Sequence, residues 1–247
     1  MTERPTVLVP IEVLEGESIP EGVPALLAAA HVLVLGYHEV PEQTATEQAS
    51  EQYEGRATER LEEFAKMFEA AGATVETRLV FTHEHQQTIN RVIVETDSRA
   101  VLVPGSVSEV EDVLVAVGGT VSLDRIAEVV GGLFGDSSAR ITLYHATGAE
   151  ESNRSVSELL DALEDQLVEA GVGPHQIQTL VEQRDRPLAA IESAAEDYDV
   201  VVMGETDPSV ATFVFGMPHD QVASQFLGPV LVVQRSPPEP DSDKTQR

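Results

Sequence analysis

The stretch Asp199–Gly204 (DVVVMG), followed after a gap by Gly228–Arg235 (GPVLVVQR), decides how this sequence folds. Both contain a short apolar run rich in β-branched residues, which is typical of a strand buried on both faces of a parallel sheet. The first run ends in a glycine, and the gap leaves room for a ligand loop and a helix. The two runs therefore predict an open α/β scaffold of the kind that binds nucleotides beyond its strand ends.

The same order of strands and helices is found twice along the chain. Thr6–Ile11 (TVLVPI) corresponds to Val113–Val117 (VLVAV), and Ala100–Gly105 (AVLVPG) corresponds to Asp199–Gly204. Strands that alternate with helices in this way pair in parallel through right-handed crossovers. Between these strands, the two repeats are predicted to contain second strands at Val32–His38 and Ile141–His145, third strands at Val75–Phe81 and Ile177–Val181, and helices at Gln86–Thr96 and Pro187–Ala195.

A long amphipathic helix is predicted after the second strand of each repeat, because apolar residues recur there at helical spacing. Gly72 and Gly171 are predicted to end these helices. Ser155 and Glu158 have the spacing of a capping box and predict the start of the second helix. The apolar stripes are Tyr53, Ala57, Leu61, Phe64, Ala65 and Phe68 in the first repeat, and Val156, Leu159, Leu160, Leu163 and Leu167 in the second.

The repeats predict two domains, at residues 1–110 and 111–235, each an α/β unit with a parallel sheet. Only Ser106–Glu111 separate the end of the first repeat from the start of the second, so the first domain is expected to lack its last helix and strand. Residues 236–247 (SPPEPDSDKTQR) are rich in proline and charge, and they are expected to form a disordered tail.

The charge balance is strongly acidic, with 43 Asp and Glu against 15 Lys and Arg and a net charge of -28. Nucleic acid and anionic membranes are therefore not expected as partners, since both require a basic surface. Lys66 and Lys244 are the only lysines. Scarce lysine beside excess acid favours a protein adapted to a salt-rich cytoplasm, where charge repulsion is screened; the alternative is simply a soluble acidic protein.

The chain contains no cysteine, which excludes disulfides, thiolate metal sites and cysteine nucleophiles. Its first residues (MTERPTVLVP) lack the pattern of a signal peptide. The longest apolar stretch, Val23–Tyr37, is interrupted by His31 and is too short to span a bilayer. A cytoplasmic protein with no direct membrane insertion is expected.

In VLVAVGGT, DVVVMG and GPVLVVQR the chain resembles the universal stress protein (UspA-like) family in a tandem form, over nearly all of Thr6–Arg235. The resemblance implies Rossmann-like domains, related to the adenine nucleotide alpha hydrolases, with five-stranded parallel sheets. It also implies frequent dimerisation and, in one branch, ATP binding. That branch has an Asp at the end of its first strand, followed by Gly and Ser, and later a Gly-x2-Gly-x9-Gly-Ser/Thr loop.

The first nucleotide element of that branch is altered here. The aspartate position is Gly118 in the second repeat, followed by Gly119 and Thr120. The equivalent residue in the first repeat is Glu12, and no Gly-Ser follows it. Gly118, Gly119 and Thr120 are therefore candidate residues of a degenerate nucleotide site.

The later loop is altered as well. Met203 and Gly204 are in place, but Asp207 replaces the second glycine, Gly216 comes one residue early, and Met217-Pro218 replace Gly-Ser/Thr. A carboxylate repels a triphosphate and a proline has no N–H to donate. Met203, Gly204 and Gly216 are thus further candidates for a degenerate site, although tight strand-to-helix turns are the favoured explanation of Gly118, Gly119 and Gly204. In the first repeat the loop begins at Gly105-Ser106 and is cut short.

Histidines provide the remaining candidate chemistry. His83-Glu84-His85 has alternating imidazoles that suit a metal, but no further ligands are evident, and a solvated strand-to-helix connection is the favoured interpretation. Tyr37-His38 recurs as Tyr144-His145. These pairs lie at strand ends near the expected crevice, and packing is favoured over catalysis.

The sequence therefore predicts a stress-response or regulatory binding module that is not an enzyme and needs no cofactor, with a membrane transporter or regulatory protein as a possible partner. The alternative is an ATP- or AMP-binding stress protein with slow ATPase or autophosphorylation activity. Another activity of the wider adenine nucleotide alpha hydrolase-like superfamily is disfavoured, because no nucleophile is evident. The final strand, Pro229–Gln234, is expected to be an exposed edge that forms a homodimer.

Overall fold

The computed structural model describes residues 4–118, 122–147, 152–183, 187–204 and 228–235. In these ranges the strands are β1 (Thr6–Glu12), β2 (His31–Glu39), β3 (Thr74–Thr82), β4 (Ala100–Val103), β5 (Asp112–Ala116), β6 (Arg140–Thr147), β7 (Ile177–Gln183), β8 (Val200–Gly204) and β9 (Val230–Val233). The helices are α1 (Val23–Leu26), α2 (Thr46–Ala71), α3 (His85–Thr96), α4 (Leu123–Phe134), α5 (Asn153–Glu169) and α6 (Pro187–Ala195), with a 3₁₀ turn at Pro174–Gln176.

The described strands form one nine-stranded sheet in the order β3-β2-β1-β4-β9-β8-β5-β6-β7. Every neighbouring pair is parallel except β4 and β9, which are antiparallel. With helices on both faces, the predicted Rossmann-like α/β class is confirmed. The sheet consists of an N-terminal half, β3-β2-β1-β4, and a C-terminal half, β9-β8-β5-β6-β7.

The first half lacks its last helix and strand, as the sequence predicts. All residues between β4 and β5 are described, and they form neither a helix nor a strand. The division into domains at residues 1–110 and 111–235 stays a prediction, and so does the order of residues 236–247, which lie outside the described part of the chain.

The expectation that the final strand is an exposed edge is wrong. β9 lies inside the sheet, where Val201–Gly204 pair with Val230–Val233 on one side and Ala100–Val103 pair with the same residues on the other. All residues of β9 are buried. The shortened N-terminal half leaves the side of β4 open, and β9 fills it, so this strand has no free edge for a homodimer.

The two faces of the sheet are covered differently. On one face a single apolar core runs through both halves, under α1, α2, α4 and α5. On the other face α3 covers an N-terminal core and α6 covers a separate C-terminal core. Among the described residues, no helix combines the length and the apolar character needed to cross a bilayer.

The beginning of α5 differs from the predicted capping box. α5 begins at Asn153 with Ser152 as its N-cap residue, without a side-chain cap hydrogen bond. Ser155 therefore lies within the helix, and the capping box predicted for Ser155 and Glu158 is wrong. The helix begins after Ser152, three residues before the serine that the capping-box pattern selected. The local sequence does not distinguish Ser152 from Ser155 as the N-cap residue.

The ends of the long helices agree with the prediction. Gly72 caps α2 in the left-handed conformation, with φ 108°, and its N–H donates to the carbonyl of Glu69 at 3.0 Å. Gly171, with φ 102°, follows the C-cap of α5. An L-residue rarely adopts this backbone conformation, which is why glycine is required there.

An ion-pair network joins the two halves. Arg99, which precedes β4, donates to Glu128 of α4 at 2.8 Å and also to Asp97. Arg125 of α4 is buried and donates to the same Asp97 at 3.0 Å. Partial burial acts to raise the pKa of Asp97, but the hydrogen bonds from Arg125 and Arg99 lower it below the ordinary aspartate value.

The Gly72→Ala variant is expected to lower the free energy of unfolding by about 1 kcal/mol, because alanine is strained at positive φ. Gly55 provides a matched control, since it lies inside α2 with open space around an added Cβ. Gly55→Ala is expected to raise the free energy of unfolding by about 0.5 kcal/mol through better helix propensity. Urea unfolding of both variants tests this, and equal effects of the same sign would contradict it.

The Asp97→Asn variant is expected to be less stable than wild type at neutral pH, by less than about 1 kcal/mol because the carboxylate is half exposed. Because the pKa of Asp97 is lower in the folded protein than in the unfolded protein, its carboxylate stabilises the fold at pH values above the unfolded pKa, about 3.9. This stabilisation is lost as the pH falls through the folded pKa of Asp97. The difference between variant and wild type should therefore narrow on acidification. Asp136→Asn, an exposed control, should show no such trend.

Candidate functional site

The sheet has two crevices where strand ends and loops meet. One lies at one end of the strands and the other lies at the opposite end. Strands of the N-terminal half run antiparallel to those of the C-terminal half, because the halves meet at β4 and β9. The N-terminal crevice lies beyond the carboxyl ends of β1, β2 and β4. The C-terminal crevice lies beyond the carboxyl ends of β5 and β8, the position where α/β sheets bind ligands.

Part of the predicted nucleotide site is brought together in the C-terminal crevice. Ala116 of β5 lies opposite Met203 of β8, so Gly118 and Gly204 both lie at the mouth of this crevice. The other predicted residues lie outside the described part of the chain; they are Gly119, Thr120 and Gly216, together with the substituted positions Asp207, Met217 and Pro218.

The surroundings of Gly118 and Met203 differ. A Cβ added to Gly118 would have no heavy atom of the described residues within 4 Å, and Gly118 does not have a positive φ. The described neighbours of Gly118 therefore leave room for a side chain at this position. The Met203 side chain is buried in the C-terminal core beneath α6, which makes it a packing residue.

The Tyr144-His145 pair is buried, and this confirms the predicted packing role in the C-terminal half. The Nδ1 of His145 lies 2.7 Å from the carbonyl oxygen of Val117, so it carries the proton and donates. The Tyr144 hydroxyl donates to Glu182 at 3.2 Å. His145 therefore fastens the end of β5 immediately before Gly118.

Tyr37-His38 does not occupy the position equivalent to Tyr144-His145, so the correspondence drawn between the two pairs from the sequence is wrong. Tyr37 lies opposite Glu12 in the sheet, whereas Tyr144 lies opposite Ala116. With Val7 and Val113 as equivalent starting points, Ala116 corresponds to Pro10. The pair in the N-terminal half therefore lies two residues farther out, in the crevice itself.

Glu12 forms the floor of the N-terminal crevice. Its carboxylate is buried, and one oxygen lies 2.8 Å from Nδ1 of His38. The other oxygen accepts a hydrogen bond from the N–H of Glu39 at 3.2 Å, and the N–H of Glu12 donates to the Glu17 carboxylate at 2.8 Å. Neighbouring residues of the same chain thus satisfy the carboxylate that stands where a ligand would approach.

A second layer of contacts surrounds this floor. His85 stacks on Tyr37 with ring centroids 5.6 Å apart, and its Nδ1 lies 2.5 Å from the Glu39 carboxylate. His83 donates from Nδ1 to the carbonyl of Val40 at 2.9 Å. Glu84 is the N-cap residue of α3, in agreement with the predicted strand-to-helix connection.

The two histidines of His83-Glu84-His85 therefore have different partners on the end of β2. Within the part of the chain that the structure describes, no group of three or more His, Asp or Glu side chains is arranged to hold a metal ion. The chemistry of these imidazoles is hydrogen bonding that ties α3 to β2.

The segment that connects the two halves packs against the residues that precede α1. A Cβ added to Gly22, just before α1, would lie 1.9 Å from the carbonyl oxygen of Val107. Only glycine permits this contact between the connection and α1. Ser106, in the shortened loop that begins at Gly105, lines a shallow groove with Glu21 and Gly22 instead of forming a phosphate cradle.

The electrostatics of the N-terminal crevice oppose anions. Burial raises the pKa of Glu12 above the ordinary glutamate value, although the hydrogen bonds from His38 and Glu39 act in the opposite direction. Burial also raises the pKa of Glu17. Burial, together with the nearby carboxylates of Glu17 and Glu12, raises the pKa of Tyr37. Carboxylates therefore dominate the potential in this crevice.

Glu17 and Glu39 were not identified as site residues from the sequence. The available signal was the acidic run Glu12–Glu17 (EVLEGE) directly after a buried strand. Their role depends on the return of β2 beside β1, which the local sequence does not specify.

Comparison with solved structures identifies the fold as that of universal stress proteins. A universal stress protein from Archaeoglobus fulgidus DSM 4304 is 18% identical, with a TM-score of 0.62, over 93% of this chain and 96% of that one. A putative universal stress protein from Pseudomonas aeruginosa UCBPP-PA14 is 18% identical, with a TM-score of 0.51, over 94% of each chain. No protein-family model and no curated protein sequence matches the chain.

The Glu12→Gln variant is expected to change how stability depends on pH. The pKa of Glu12 is higher in the folded protein than the ordinary glutamate pKa, about 4.3. The free energy of unfolding therefore falls as the pH rises from the ordinary glutamate pKa through the folded pKa of Glu12. Glutamine removes this titration, so the decrease should be shallower than in wild type. Urea unfolding across this pH range measures it.

Glu42→Gln is the matched control, since Glu42 is exposed in the loop after β2. It should keep the wild-type dependence on pH. Identical slopes for Glu12→Gln and wild type would show that Glu12 is not held in the buried state described above.

Proposed function

We propose that this chain is a binding module of the universal stress protein type, which acts in a stress response by association rather than by catalysis and whose nucleotide sites have degenerated. The observation that carries the proposal is the buried Glu12 carboxylate in the N-terminal crevice. It is held by His38 and Glu39 of the same chain, in the place where a nucleotide would bind.

A triphosphate would meet two kinds of resistance in the N-terminal crevice. The carboxylates of Glu12, Glu17 and Glu39 would repel it, and repulsion between close charges is strong where water is partly excluded. The contact between Gly22 and Val107 also brings the connecting segment onto α1, where a phosphate loop would have to lie. Both features support a role for this half in association.

A second candidate function is ATP or AMP binding in the C-terminal crevice, with slow ATPase or autophosphorylation activity. The space beside Gly118 and Gly204, which no described residue fills around an added Cβ of Gly118, favours it. We rank it second because Asp207 and Pro218, in the sequence of the later loop, are unfavourable for phosphate binding.

The partner in the proposed function is a protein, either a regulatory protein or a membrane transporter; this element comes from the resemblance alone. The excess of acidic over basic side chains supports a working environment rich in salt, because screening then limits repulsion between partners.

Equilibrium dialysis with labelled ATP and magnesium at molar KCl tests the ranking. We expect no stoichiometric retention of nucleotide, no release of ADP and no labelled protein. We also expect no rise in melting temperature with added ATP, since a ligand stabilises only the state that binds it.

Gly118→Phe and Glu12→Gln identify the site if nucleotide is retained. Phenylalanine fills the open space in the C-terminal crevice, whereas glutamine removes a charge in the N-terminal crevice. Retention of one nucleotide per chain that Gly118→Phe abolishes and Glu12→Gln preserves would overturn the proposal in favour of the second candidate.

A further inference from the structure

The outer strand β7 is an exposed edge at the C-terminal end of the sheet. It follows β6 in the strand order, and among the described strands none pairs with its other side. Most of its residues are exposed, including Leu180 at 37% and Val181 at 48%. An edge strand with open N–H and C=O groups and exposed apolar side chains is a template for pairing with another strand.

The opposite outer strand, β3, is better protected than the middle of β7. It carries the charges of Glu76 and Arg78, and Arg78 is bound to Glu95 of α3 at 2.6 Å. Its apolar residues Val75, Leu79 and Phe81 pack against the core that includes the side chains of α2. Charges and cover of this kind discourage edge pairing.

The middle of β7 carries no charge. Residues 178–181 are Gln, Thr, Leu and Val, in a chain whose net charge is -28. Beside them, Val181 lines a groove of about 340 Å³ with Val156 and Leu160 of α5. This strand is therefore a place where a second molecule with the same strong negative charge can approach closely.

Symmetry restricts how two β7 strands can pair. Residues directly opposite in an antiparallel pair point to the same face, and side chains alternate between faces along a strand. When a two-fold axis normal to the sheet relates two copies of one strand, the residues that lie opposite each other are therefore an even number of positions apart in sequence. The axis must therefore pass beside a residue and not between two residues. Leu180 is the middle residue of Ile177–Gln183, and an axis there pairs the whole strand.

This register is also compatible in charge. It places Glu182 opposite Gln178 and Thr179 opposite Val181, so no carboxylate of the strand faces its own symmetry mate. An axis at Glu182 would bring two carboxylates together, and like charges directly opposite are destabilising. The strand is thus complementary to a second copy of itself.

We propose that β7 is a homodimer interface, in which β7 strands of two molecules pair antiparallel about Leu180 and extend the sheet across both molecules. The inference is independent of the proposed function, because neither crevice is part of the interface. It replaces the route through β9, which is occupied inside the chain. Asp161 of α5 flanks the groove, so the dimer should be favoured by salt, which screens acidic side chains.

The absence of cysteine permits a direct test by disulfide crosslinking. In the proposed register the two copies of residue 180 have Cα atoms about 4.5 to 5.5 Å apart, which suits a disulfide. Under mild oxidation at molar KCl, Leu180→Cys should form a covalent dimer. Val94→Cys, on α3 and 76% exposed, is the control and should stay monomeric in denaturing gels.

Light scattering at molar KCl provides the second test. Wild type should have twice the chain mass of 26.6 kDa. Val181→Lys places a charge on the edge and should have the monomer mass, whereas Val94→Lys adds the same charge elsewhere and should remain dimeric. Circular dichroism verifies that each variant is folded.

Three results would overturn the proposal. The first is a monomeric wild type at molar KCl, and the second is a Leu180→Cys variant that crosslinks no better than Val94→Cys. The third is a folded Val181→Lys variant that remains dimeric. If Val181→Lys does not fold, the crosslinking experiment decides.

Discussion

The antiparallel pairing of β4 with β9 is the contact on which the rest of the structure depends. Each half of the chain supplies a set of parallel strands, and the N-terminal set stops at β4 with one side unpaired. Unpaired N–H and C=O groups in a buried strand are costly. β9 satisfies them by pairing residues Val230–Val233 with Ala100–Val103, and the two apolar sets on one face then merge into a single core.

The direction of this contact explains why the two crevices differ. Because β4 and β9 are antiparallel, the carboxyl ends of the strands in the two halves lie on opposite sides of the sheet. β4 ends, and β5 begins, on the side of the N-terminal crevice, so the connection between them stays on that side. The connection is short, so it passes over α1 and meets Gly22. The crevice beside it is then filled by Glu12 and its partners. In the other crevice no described residue lies within 4 Å of a Cβ added to Gly118.

The sequence predicted the strands and most helices well, because buried parallel strands such as Val113–Val117 are apolar throughout and glycines such as Gly72 mark helix ends. It did not identify α4 (Leu123–Phe134), whose apolar residues directly follow the glycines that drew attention as a ligand loop. The pairing of β4 with β9 was missed because contact between distant strands leaves no local signal. For the same reason Glu12 was identified as an altered position, but its partners Glu17 and Glu39 were not.

The fusion of the halves also determines which surfaces are left for association. Once β9 is enclosed, β3 and β7 are the outer strands of the described sheet. The chain carries 43 acidic side chains against 15 basic ones, so most approaches between two molecules bring like charges together. β3 retains charges and is partly covered by the core under α2, whereas the middle of β7 is uncharged. With β9 enclosed, the uncharged middle of β7 is the part of the open sheet edges that the proposed dimer uses.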